Sequence, residues 1–199
     1  MPMPASLVLA TRNPHKLREF ARLLAPAAVE VTALPEGIEL PPETGETFAD
    51  NALPKARAAA ARTGRIAIAD DSGIESEALD GRPGVRSARY AGEHATDRQN
   101  LDKLMREAPA GSGLRYVCAL AYVDPARGVE HVVFGESTGR LARNARGERG
   151  FGYDPAFVPD GDFGGRTMAE LSDEEKDRIS HRGRAVRALL SWAAGDGAC

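Results

Sequence analysis

Apolar positions along the chain fall in short runs broken by turn residues, and the period of the runs alternates. Ser6-Leu-Val-Leu-Ala10 is a continuous run of the length expected for a short buried strand. After the turn at Asn13-Pro14, Leu17, Phe20, Ala21 and Leu24 recur at helical spacing, so the first unit is β-loop-α. A second strand is predicted over Val29–Ala33, and Pro35, Gly37, Pro41, Pro42 and Gly45 make residues 34–46 a loop. Thr47, with Asp50 three residues on, caps an alanine-rich helix reaching Thr63, and Pro54 inside it predicts a kink. Ile66–Ala69 is a short strand that ends at Asp70-Asp71-Ser72-Gly73.

Turn signals at Asp80-Gly81 and Pro83-Gly84 predict a structured loop to Gly92, and Thr96 with Gln99 predicts a capping box ahead of a helix bearing Leu101, Leu104 and Met105. Leu114–Val123 is apolar on both faces, as in a central strand, and Asp124–Gly128 turns it into a partner over Val129–Glu136. That hairpin makes the sheet mixed. Residues 139–165 are glycine-rich and irregular around a short Pro155–Pro159 segment; Ser172 with Glu175 caps a helical piece, and Val186, Leu189, Leu190 and Ala193 stripe a last one. Helices alternating with strands define the α/β class, and 199 residues without an internal repeat predict one domain over residues 1–199.

Composition narrows the function. A hydrophobic share of 42% with 28% charged residues is that of a chain that folds alone, and a net charge of −3 argues against neutralising a nucleic-acid backbone. Any nucleotide partner is then small. The two cysteines, Cys118 in an apolar run and Cys199 at the end, draw neither a disulfide framework nor a zinc cluster, which fits a reducing, cytoplasmic setting. The N-terminal apolar stretch is too short for a secretory core, and no run approaches the ~20 residues that cross a bilayer, so no membrane role is expected.

Three groups of residues carry candidate chemistry. Asp70 and Asp71 at a strand end suit Mg²⁺, with Glu43 as a further ligand; the alternative is that one of them caps the turn at Ser72-Gly73. Lys16 near a helix start, beside Thr11 and Asn13, forms a phosphate cradle without the glycine-rich P-loop pattern. Lys55, Lys176 and Arg182 would reach the same anion, although each singly reads as a surface charge. In Gly147–Pro155 an aromatic can stack on a purine while Asp154 accepts from ring N–H groups; otherwise the aromatics only anchor a tight loop. Ser180-His-Arg-Gly183 offers further donors.

Together these segments resemble the inosine triphosphate pyrophosphatase family, which includes the bacterial dITP/XTP pyrophosphatases. Six motifs carry the resemblance in order: Leu9–Lys16, Glu43–Lys55, Ala69–Gly73, Pro83–Gly92, Gly150–Pro155 and Ser180–Gly183. The resemblance implies an elongated mixed β-sheet flanked by helices, two lobes with a nucleotide cleft between them, and a homodimer. It implies hydrolysis of ITP, dITP and XTP to monophosphate and pyrophosphate with Mg²⁺. By motif, Thr11, Asn13, Lys16 and Lys55 are the triphosphate-side residues, Asp71 is acid–base residue and metal ligand, and Glu43 assists at the metal. Asp70 is the other candidate base. Ser72, Phe151, Gly152, Tyr153, Asp154, Lys176, His181 and Arg182 form the nucleotide-binding set. Two positions depart from the pattern: Arg12 stands where glycine is common, which either stiffens the first loop or adds a cation toward the phosphates, and Pro54 precedes Lys55.

Overall fold

The computed structural model describes residues 2–195, and Cys199 lies outside them. Six strands form one mixed sheet in the order β2-β1-β3-β4-β5-β6: β1 Ser6–Leu9, β2 Glu30–Ala33, β3 Ala67–Ser76, β4 Gly113–Asp124, β5 Val129–Leu141 and β6 Phe157–Pro159. Five helices accompany them, α1 Pro14–Leu24, α2 Phe48–Thr63, α3 Asp97–Glu107, α4 Asp173–Ile179 and α5 His181–Ala194. β1 pairs in parallel with β2 and β3, and β5 runs antiparallel to β6. The α/β class with a mixed sheet flanked by helices is as expected. Among the described residues no helix is long and apolar enough to cross a membrane.

The helix starts follow the local chemistry. Asn13 caps α1 by accepting from the N–H groups of His15 and Lys16, and Thr47, Thr96 and Ser172 each form a reciprocal capping box. α2 runs unbroken through Pro54, where a kink was expected. β3 is longer than the sequence suggested. The apolar run ends at Ala69, yet the strand continues to Ser76, so Asp70 and Asp71 lie within it rather than at its end. Apolarity marked only the part buried among hydrophobic side chains; the ladder carries on where polar side chains find partners.

The chain divides into two compact units. One comprises residues through Asp71, Cys118–Gly135 and residues from Arg182; the other comprises Ser72–Val117 and Glu136–His181. In the first, Leu7, Leu9 and Ile68 share a core with Phe20 and Leu24 of α1 and Ala185, Val186 and Leu189 of α5. Leu9 pairs with Ile68 and Val8 with Ala67, so Ile68 and Asp70 project to that face while Ala67, Ala69 and Asp71 project to the other. α2 contributes fully buried Ala52, Ala56 and Ala59, whose small side chains allow a close approach. The second unit is built around Ile74, Leu104, Leu114, Tyr116, Leu141, Tyr153 and Phe157.

Candidate active site

Because a strand alternates its side chains, two adjacent aspartates meet two environments. Asp70 faces α1 and α5. Its Oδ1 lies 3.0 Å from Lys16 Nζ, its Oδ2 lies 3.2 Å from Arg182 Nε, and Arg182 Nη1 donates to Glu19 Oε2 at 2.9 Å. The Asp70 carboxylate is fully buried. Burial alone would raise its pKa, but the charges of Lys16, Arg182 and Lys55 outweigh it and hold the group well below the usual carboxylate range. An acid so held stays ionised and is a poor base.

Asp71 faces α2, and its balance is the reverse. Asn51 Nδ2 donates to its Oδ2 at 2.9 Å, and Lys55 Nζ lies 3.7 Å from its Oδ1. Burial raises its pKa; Lys55 and Asn51 pull it down, nearby Glu43 pushes it further up, and the net shift is upward. Lys55, one helical turn after Asn51, also donates to Glu43 Oε1 at 2.5 Å and to the Asp70 carbonyl at 2.9 Å. Burial works to lower the lysine's pKa, but Asp70, Glu43 and Asp71 more than offset it, so Lys55 stays a cation. The first unit therefore holds a raised-pKa carboxylate with two lysines grouped around the acidic pair.

The second unit holds a cluster centred on Asp154. Its Oδ2 accepts from Lys176 Nζ at 2.7 Å and from the Phe151 N–H at 3.0 Å, and its Oδ1 accepts from the Tyr116 hydroxyl at 3.2 Å. Tyr116 stacks on His181, with centroids 4.5 Å apart and planes within 7°. Lys176 Nζ sits 5.6 Å from the Phe151 ring centroid. Gly150 has φ +72, and a Cβ there would lie 2.1 Å from Asp154 Oδ2, so only glycine lets the loop wrap the carboxylate. The Gly152 N–H donates to Asp97 Oδ2, and the buried Tyr153 hydroxyl donates to the Ser87 carbonyl.

The sequence candidates thus gather in two sets. Lys16, Glu43, Lys55, Asp70, Asp71 and Arg182 belong to the first unit, with Thr11 and Asn13 spent on shaping the loop into α1, since Thr11 Oγ1 accepts from the Asn13 N–H at 3.1 Å. Phe151, Gly152, Tyr153, Asp154, Lys176 and His181 belong to the second, as does half-buried Ser72 on β3. Arg12 spends its guanidinium on the carbonyls of Leu34, Pro35 and Ile38 and so ties down loop 34–46. Asp154 has three acceptor positions of about four engaged within the protein. Sequence reasoning passed over Asn51, Glu19 and Tyr116. The first two were detectable in principle, at four residues before Lys55 and three after Lys16 on the same helix faces. Tyr116 lies on a strand remote in sequence from its partners, and nothing local marks it.

Oxygen donors suit a hard divalent cation. Among the described residues no three His, Cys, Asp or Glu side chains gather into a closed cage. Asp71 and Glu43 instead approach the same ammonium, at 3.7 and 2.5 Å. Two carboxylates fit an ion that takes its other oxygens from water and a phosphate ligand, the usual way Mg²⁺ is held.

Fold and site together define an α/β enzyme that meets an anionic, oxygen-rich substrate. The chain belongs to the Ham1 family, whose sequence model it matches over residues 7–192. It is 48% identical over 192 residues to a dITP/XTP pyrophosphatase of Cutibacterium acnes, covering 92% of this chain and 94% of that one. It is 50% identical over 196 residues to the Frankia alni protein of the same name, covering 93% and 95%. Among solved structures, a HAM1 protein from Coxiella burnetii superposes with a TM-score of 0.82 at 37% identity, covering 96% of this chain and 98% of that one. A nucleoside-triphosphatase / dITP/XTP pyrophosphatase from Mycobacterium abscessus gives 0.70 at 47%, covering 93% and 98%. The family resemblance read from the six motifs is borne out.

Proposed function

We propose that this protein hydrolyses non-standard purine nucleoside triphosphates, ITP, dITP and XTP, to the monophosphate and pyrophosphate, clearing them from the nucleotide pool. The similarity to dITP/XTP pyrophosphatases supports the activity. The observation that carries the chemistry is Asp71, a buried carboxylate held at one oxygen by Asn51 and adjoined at the other by Lys55. A divalent metal, as is typical of dITP/XTP pyrophosphatases, accompanies the substrate. We assign it as Mg²⁺ at Asp71 and Glu43, where it supplies charge neutralisation on the phosphate oxygens.

In the reaction, Asp71 Oδ1 orients a water toward the α-phosphorus and takes its proton. Because Asn51 holds Oδ2, Oδ1 is the oxygen left to meet the water. The new P–O bond forms as the bond to the β-phosphoryl oxygen breaks, and pyrophosphate leaves intact. Lys16 and Lys55 stabilise the leaving charge, a role whose loss costs about 2.7–4 kcal/mol in a comparable anion-stabilising site. Asp70, saturated by Lys16 and Arg182, serves as the anchor that aims Lys16 rather than as the base. Phe151, Asp154, Lys176 and His181 of the second unit take the base-recognition role, and the reading extends to a cytoplasmic homodimer without a nucleic-acid partner.

The test is to supply Mg²⁺ with ITP, XTP, dITP, GTP or ATP and to resolve pyrophosphate from orthophosphate. Pyrophosphate from the first three, abolished by Asp71→Asn, is the expected result. Orthophosphate release, or equal turnover of ATP, defeats the proposal.

A further inference from the structure

We propose that Asn51 is a positioning residue for the reaction: its amide clamps one oxygen of Asp71 and leaves the other presented beside Lys55. The inference rests on the pyrophosphatase reading above and assigns a role that reading does not contain. Asn51 is 3% exposed, so its polar atoms must be satisfied within the protein. The Gly45 N–H donates to Asn51 Oδ1 at 2.7 Å, which identifies the acceptor end of the amide and turns Nδ2 to Asp71 Oδ2 at 2.9 Å. Both ends of one short side chain are therefore committed.

The chain is built to allow this link. A Cβ at Gly45 would stand 2.6 Å from Asp50 Cβ and 2.8 Å from Asn51 Oδ1, so glycine is required for the loop to come this close. Glu43 lies two residues before Gly45, and Asn51 thus ties the loop carrying Glu43 to the strand carrying Asp71. Without the clamp the Asp71 carboxylate turns about its last bond and the loop drifts, and the fraction of molecules with water in line for attack falls. A loss of this kind acts on kcat. Substrate affinity, set by Lys16 and by the second unit's base-recognition residues, changes little.

Two substitutions separate positioning from mere packing. Asn51→Asp keeps the acceptor for Gly45 but replaces the donor to Asp71 with a second negative oxygen; Asn51→Ala removes both links. With pyrophosphate release from ITP as the assay, kcat of Asn51→Asp falls on the order of 10- to 100-fold with KM little changed, the usual cost of losing a supporting partner of a catalytic group. Wild-type kcat in Asn51→Asp, or a loss confined to KM, overturns the inference, since the amide then only anchors the loop. Absence of turnover in the wild-type protein defeats the pyrophosphatase reading instead. In that event urea unfolding of Asn51→Ala, Asp71→Ala and the double variant decides: shifts that add independently overturn the pairing, and a double-variant shift smaller than the sum supports it.

Discussion

Adjacent aspartates on one strand are predicted to respond in opposite ways to loss of charge. Asp70 is fully buried between Lys16 at 3.0 Å and Arg182 at 3.2 Å. Asp70→Asn keeps the shape but takes the shared carboxylate from two largely buried cations, of which Arg182 keeps Glu19, and breaking a buried pair in this way costs about 3–5 kcal/mol. Whole domains commonly have only about 5–15 kcal/mol to lose. Asp71→Asn removes a charge that burial already disfavours, and the new amide oxygen still accepts from Asn51, so its stability is unchanged or raised. The assay is urea unfolding at pH 7 followed by Trp192, the single tryptophan, on α5 in the same unit. With urea slopes of about 1–3 kcal/mol/M, the Asp70 variant's midpoint drops by at least about 1 M. The sign with pH follows the shifts. The lowered Asp70 pKa stabilises the fold above the ordinary carboxylate range, and that stabilisation is lost as pH falls through the folded value, so wild type and Asp70→Asn converge only in strong acid. The raised Asp71 pKa has the reverse effect, a cost present above the folded value and relieved as pH falls through it. Equal destabilisation by the two variants at pH 7 would refute the two-face argument.

Further predictions address other parts of the molecule. Arg12→Ala frees three carbonyls of loop 34–46, so amide exchange there quickens while global stability falls by only about 0.5–1.5 kcal/mol, and turnover drops far less than in Lys16→Ala. Gly150→Ala meets both a left-handed φ and the Asp154 carboxylate at 2.1 Å; a local cost of about 1–3 kcal/mol appears as a raised KM for ITP and weaker discrimination against ATP. Burial, reinforced by the negative charge of Asp70, pushes the Cys118 thiol far up, so in a Cys199→Ser background a thiol reagent labels the chain only on unfolding. Rapid labelling of the native protein would show that the first unit opens readily.

Much of this molecule was legible in one dimension because the deciding interactions are local. The capping residues Asn13, Thr47, Thr96 and Ser172 act within three residues of themselves, and the periods of the apolar runs name the elements. The same held for chemistry carried by contiguous motifs, which brought Lys16, Lys55 and the acidic pair to notice before any fold was known. What only the tertiary structure decided is the difference between Asp70 and Asp71. Their neighbours in sequence are alike, and their roles diverge because α1 and α5 cover one face of β3 while α2 lies on the other, supplying two cations to the first and a lysine and an amide to the second. The continuation of β3 past Ala69, the spending of Arg12 on backbone carbonyls and the stacking of Tyr116 on His181 are of the same kind. Each depends on a partner remote in sequence or on a ladder set by neighbouring strands, and a polar residue's role follows from the partner that satisfies it once buried.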